Sequence, residues 1–153
     1  MIFRVIIMMS VTRLEAKAII KGGETFPDIC GEVLFYRMRC AVMVKAVVSG
    51  LPNTSSLFYG FHIHSGENCG GKGFSDTGGH YDSDNRPHPR HSGDMPPLIS
   101  YNGNAYMEFK TNRFSINEII GKTIIIHGGT DDFRTQPSGD SGEKIACGVI
   151  VRV

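Results

Sequence analysis

Residues 60–69 read GFHIHSGENC. On an extended strand successive side chains point to opposite faces, so Phe61 and Ile63 share one side and His62 and His64 the other. The apolar pair belongs to a core, and two imidazoles emerge together on the outer face. Around this stretch, short runs rich in β-branched and apolar residues recur at 14–21, 31–38, 40–49, 58–64, 105–110, 121–127 and 145–152, separated by Gly, Pro, Asn or Asp clusters. Helical spacing is sustained nowhere, and Ser115–Ile120 is the one plausible turn of helix. The pattern predicts an all-β antiparallel sandwich or barrel.

Two stretches break the rhythm. Residues 65–100 are rich in Gly, Pro and scattered charge with almost no apolar periodicity, and residues 128–143 read GGTDDFRTQPSGDSGE. Structureless loops of that length are uncommon in a compact domain and are usually functional or disordered. A metal is one way to supply the order that an apolar core does not.

At 153 residues the chain fits one domain able to bury its own core. With 16 basic and 15 acidic residues its net charge is +1, which gives no electrostatic argument for nucleic acid or an anionic membrane. The opening MIFRVIIMMS is apolar but too short to span a bilayer and has no clear small-residue cleavage site. Residues 1–13 are therefore expected to be an N-terminal extension, residues 14–153 the domain, and the cytoplasm is favoured over secretion.

Five of the six histidines, His62, His64, His80, His88 and His91, fall in one 30-residue window, and His127 ends the apolar strand KTIIIHGG. One later strand end can thus bring His127 to the outer-face pair. In RPHPRHSGDMPP, His88, His91 and Asp94 lie three residues apart, a spacing that folds around one ion. Pro87, Pro89, Pro96 and Pro97 restrict that backbone and lower the entropy lost when the ligands converge. Three imidazoles and a carboxylate suit a closed zinc site, and an all-imidazole set suits copper or zinc. Six histidines and Asp94 make seven candidates, and two four-coordinate sites need eight, so one ligand must be shared.

GFHIH, GGHYD, PHPRHSGDMPPL, IIGKTIIIHGGTDD and GEKIACGVI, in that order, resemble the motifs of copper/zinc superoxide dismutases. The likeness runs over residues 40–153 and is weaker from about residue 14. It implies an eight-stranded Greek-key barrel, an immunoglobulin-like sandwich carrying two long functional loops, one strand more than the pattern locates. It further implies one Cu²⁺ per chain on His62, His64, His80 and His127, and one Zn²⁺ on His80, His88, His91 and Asp94, with His80 bridging. The implied reaction turns superoxide into dioxygen and hydrogen peroxide as copper cycles between its two oxidation states, His80 leaving the reduced metal and delivering a proton.

The resemblance also implies a homodimer, and no stable membrane insertion or nucleic-acid partner is expected. Asp131 matches the acid that links a copper histidine to a zinc histidine, with Asp132 its competitor. Cys69 and Cys147 match the family's disulfide pair, which leaves Cys30 and Cys40 expected as free buried thiols. Ser138 stands where a channel-rim threonine is usual.

Where the family commonly carries arginine to position the anion, this chain has Lys144, which keeps the charge and loses the planar fork. A slower or less anion-selective enzyme is expected. The alternative is a non-catalytic copper/zinc-binding module, which loss of a copper ligand would favour; all four are present. A zinc hydrolase needs an open coordination position, and four protein ligands fill it.

Overall fold

The computed structural model describes residues 12–153. Among these, nine strands form one nearly closed antiparallel barrel: β1 (Arg13–Gly22), β2 (Cys30–Arg37), β3 (Val42–Ser49), β4 (Phe58–Tyr59), β5 (Phe61–His64), β6 (Leu98–Tyr101), β7 (Asn104–Thr111), β8 (Thr123–His127) and β9 (Lys144–Arg152). The spatial order is β4-β6-β7-β3-β2-β1-β9-β8-β5. The expected N-terminal extension lies, over residues 1–11, outside the described residues, and Arg13 already pairs with Arg37 in the β1–β2 ladder.

The difference from the eight strands implied by resemblance comes from Gly60. The run 58–64 divides there: Phe58 and Tyr59 pair with Ile99 and Leu98 of β6, whereas Phe61–His64 pair with β8. One bent run therefore supplies both ends of the sheet order. The strand that the sequence pattern missed is β6, four residues hidden at the end of a Gly/Pro-rich stretch.

Alternation holds along the strands. Ala16, Ala18 and Ile20 of β1, Val33 and Phe35 of β2, Val44, Ala46 and Val48 of β3, and Phe61 and Ile63 of β5 fill one core. The helical turn α1 (Ile116–Ile119) seats Ile116 and Ile119 in it, and the Glu118 carboxylate accepts from the Ser115 amide and hydroxyl at its start.

The outward face of β5, β8 and β9 is not exposed. His62, His64, Ile125, His127 and Cys147 are all buried, because the two long loops fold over them. The shared outer face of His62 and His64 is thus a covered one, which explains why the β8 sequence TIIIH is apolar at successive positions. A Cys69–Cys147 disulfide, spanning 78 residues, ties the first loop to β9. In the chain-entropy account a closure of that length contributes about 4–5 kcal/mol. Cys30 and Cys40 are free, but exposed rather than buried, one pointing outward at the start of β2 and the other in the β2–β3 turn. Among the described residues no helix is long and apolar enough to cross a membrane.

Candidate metal centre

The segment after β5 doubles back along it. Tyr81 N–H donates to Ile63 O (2.8 Å), Ile63 N–H to Gly93 O (2.9 Å) and Gly93 N–H to Tyr81 O (2.7 Å). These contacts set His80 opposite His64 and Asp94 opposite His62. Gly93 is required by the approach: a Cβ there would lie 2.4 Å from Ile63 O. From the other side, His127 N–H donates to Gly60 O (2.8 Å), which brings the end of β8 alongside β5.

Two groups of donors result, each with its ligand atoms within 4.8 Å of one another: His62, His64, His80 and His127, and His80, His88, His91 and Asp94. In the first, His64 Nδ1–H donates to Gly78 O (2.8 Å) and His127 Nδ1–H to Gly142 O (3.1 Å). Both Nε2 atoms are then lone pairs, and they face each other at 3.2 Å. His62 spends Nε2–H on Asp131 Oδ2 (2.7 Å), so its Nδ1 is the free atom. In the second group, His80 Nδ1 lies 2.7 Å from Asp94 Oδ1, while His88 and His91 bring Nδ1 to 3.1 and 3.2 Å from Asp94 Oδ2.

Among the described residues, four buried ring nitrogens have no hydrogen-bond partner: His62 Nδ1, His80 Nε2, His88 Nδ1 and His91 Nδ1. The Asp94 contacts of His88 and His91 are thus close in distance but misaligned as hydrogen bonds. Unpartnered buried polar atoms destabilise a fold by about 1–3 kcal/mol each, and opposed lone pairs add to that. A cation at each group relieves both, at imidazole and carboxylate donors of the kind copper and zinc accept. A modest contraction suffices for the metal–nitrogen bonds of about 2.0–2.1 Å that zinc adopts.

Asp131 joins the groups, accepting from His62 on Oδ2 and from His88 Nε2 on Oδ1 (2.9 Å), and also from the Phe133 amide (2.7 Å). Asp132 instead caps its own loop through the Arg134 and Thr135 amides and is exposed, which separates two acids that spacing could not. Ser138 is half-buried in the second loop, with its carbonyl accepting from the Ser141 hydroxyl. Lys144 aims its ammonium at the first loop, donating to Thr77 Oγ1 (2.7 Å), Gly78 O (3.0 Å) and Phe74 O (3.4 Å). All three of its donors are engaged, and Gly78 O is shared with His64.

Burial sets the protonation of these rings. It pushes His64 down to about 2 and His127 down to about 3, with neighbouring imidazoles and Lys144 adding to the effect, and it lowers His62 against the pull of Asp131. Burial alone would raise Asp131, but hydrogen bonds from His62, Phe133 and His88 outweigh it and hold the carboxyl down to about 2. Asp94 is lowered in the same way by His80, His88 and His91. Desolvation lowers Lys144. His62, His64 and His127 are therefore neutral at physiological pH, and Asp94 and Asp131 are carboxylates.

The family model for copper/zinc superoxide dismutase matches residues 29–150. The chain belongs to that family. Copper/zinc superoxide dismutases similar to it include one from Deinococcus radiodurans, 32% identical over 142 residues and covering 79% of this chain and 76% of the relative. Another, from Schizosaccharomyces pombe, is 31% identical over 154 residues, covering 90% of this chain and 97% of the relative. Among solved structures, a double mutant of a SOD-like protein from Bacillus subtilis superposes with a TM-score of 0.79 at 25% identity, covering 88% of this chain and 96% of that one.

The sequence motifs carried every donor of both groups. They did not carry the acceptors behind the rings, Gly78 O and Gly142 O, since a carbonyl leaves no mark in the sequence. Nor did they mark Gly139, whose φ of +70° and missing Cβ make room for the Asp131–His88 contact.

Proposed function

We propose that this chain is a superoxide dismutase, with one copper on His62, His64, His80 and His127 and one zinc on His80, His88, His91 and Asp94. The observation that carries the reading is the shared imidazole. His80 belongs to both groups, with Nε2 unpartnered towards the first and Nδ1 turned to Asp94 in the second. When bound, copper would supply one-electron redox chemistry and zinc, held by His80, His88, His91 and Asp94, would supply a Lewis acid without redox chemistry of its own.

In the net reaction, one superoxide gives up an electron and leaves as dioxygen. A second gains an electron and two protons to become hydrogen peroxide. His80 Nε2 is the proton carrier, a ring nitrogen free of protein partners that takes up and releases a proton while Nδ1 keeps the ring in place. Asp131 fixes the tautomers of His62 and His88, leaving Nδ1 of each as the donor atom. Lys144 supplies positive charge on the wall of the site; with its N–H groups engaged, it attracts an anion without a fork to orient it. Ser138 stands at the rim. Residues 14–153 act as one domain, and the homodimer implied by the resemblance belongs to the same proposal.

Metal analysis and EPR on the purified protein, with a dismutation assay, test the reading. About one copper and one zinc per chain are expected, with rapid dismutation abolished in His127→Ala. A chain that loads both metals and does not turn over would support the second reading, a metal-holding module, which the engaged Lys144 ammonium favours.

A further inference from the structure

Outside the donor groups, one cation is spent in an unusual way. Arg113, between β7 and α1, forms no ion pair among the described residues. Its Nη1 instead donates to three backbone carbonyls: Pro89 O (3.1 Å), His91 O (3.4 Å) and Asp94 O (3.1 Å). Nη1 carries two hydrogens, so one is shared. All three acceptors lie in the segment that bears His88, His91 and Asp94. Three carbonyl dipoles converging on one point repel each other unless a cation sits there, and a charged donor makes the stronger kind of hydrogen bond.

The anchor of this clamp is rigid. Phe114, the next residue, is buried in the core and meets Phe35 edge to face with ring centroids 6.4 Å apart. Beyond it, Ser115 and Glu118 fasten the start of α1. On the loop side, the Arg90 amide donates to Pro87 O (2.9 Å) and the Asp94 amide to His91 O (3.2 Å), closing two turns around the point where the guanidinium docks.

We propose that Arg113 is a positioning residue for the His80, His88, His91 and Asp94 group, holding the 87–94 segment in its ligating conformation before a metal arrives. The inference rests on the reading of that group as the zinc site. Preorganisation and charge work in opposite directions. A nearby positive charge disfavours a dication, so a neutral residue at 113 tightens zinc if charge dominates and loosens it if the clamp dominates.

The test is Arg113→Met and Arg113→Lys in the full chain, with zinc affinity measured by chelator competition and amide hydrogen exchange measured on the metal-free protein. For Arg113→Met, a zinc dissociation constant at least tenfold higher is expected, copper affinity within about threefold of wild type, and faster exchange at Arg90, Gly93 and Asp94 with β2 and β3 unchanged. Arg113→Lys is expected to restore part of the zinc affinity. Unchanged or tighter zinc binding in Arg113→Met would overturn the inference, as would an equal loss of copper affinity, which would mark a general structural defect. A wild-type chain that takes up no zinc would sink the metal reading itself; the exchange rates would still report whether Arg113 holds the segment.

Discussion

His64 and His127 face each other with their Nε2 atoms 3.2 Å apart, each having given its Nδ1 hydrogen to a backbone carbonyl. Neither nitrogen can donate to the other. The relationship is that of two lone pairs that one cation could share, and burial makes a proton a poor occupant of either.

Metal-free protein should therefore be acid-sensitive well above the carboxylate range. The folded-state values of His64 (about 2) and His127 (about 3) lie below the ordinary 6.5, so the unfolded chain takes up protons first. Stability is full above pH 6.5 and is lost as pH falls towards 3, at about 1.4 kcal/mol per unit for each ring. Asp131, held at about 2, adds a loss only below its ordinary 3.8. Urea midpoints of the metal-free protein should fall steadily from pH 7 to pH 5, and His127→Gln should flatten the slope. A midpoint constant across that range would contradict the assignment.

Asp131 serves one ring from each group, so its loss should loosen both. Asp131→Ala is expected to weaken copper and zinc by about 10–100-fold each, the usual effect of removing a partner behind a ligand. Competition titrations with chelators measure this, and a loss confined to one metal would mean that the other ring is held elsewhere.

Gly139→Ala separates the two halves of that link. The added Cβ would sit 2.1 Å from Asp131 Oδ1 and 2.7 Å from His88 Nε2, at a backbone φ of +70°. The contact to His62, made through Oδ2, is on the other oxygen. Destabilisation of about 1–3 kcal/mol is expected from the strained backbone, with zinc weakened more than copper. Thermal melts and paired affinity measurements check the asymmetry.

Lys144→Arg should raise kcat/KM. A guanidinium has five donors, enough to keep the three contacts to Phe74, Thr77 and Gly78 and to leave two for an anion. Lys144→Met should lower the rate and flatten its decline with ionic strength, because the steering charge is gone. Pulse-generated superoxide at varied salt distinguishes these outcomes; equal rates for all three proteins would remove Lys144 from the reaction.

How much of this was legible follows from what a sequence can encode. Alternation in GFHIH gave the direction of His62 and His64, because strand geometry fixes it. The burial of that face could not be read, since it depends on where residues 65–97 and 128–143 fold, and those stretches have no periodicity. For the same reason β6 was invisible: Leu98–Tyr101 follows two prolines and is too short to show a pattern. Asp131 and Asp132 are equivalent in spacing and were separated only by what each carboxylate meets. Arg113 left no trace because its partners are main-chain oxygens. Cys30 and Cys40 were expected in the interior on the general habit of free cysteines, and lie at strand and turn positions that face outward instead.

The bend at Gly60 has a further effect. Because Phe58–Tyr59 and Phe61–His64 stand at opposite ends of the strand order, a single residue joins what would otherwise be two unprotected margins of the sheet. Gly60 is fastened on both sides, its N–H to Gly129 O and its carbonyl to the His127 N–H, each at 2.8 Å. An open sheet offers unpaired N–H and C=O groups to any passing strand. Here that hazard is reduced by the same stitch that aligns the ends of β5 and β8, so the histidines of those strands sit beside a seam that leaves little room for a stray strand to pair at those two margins.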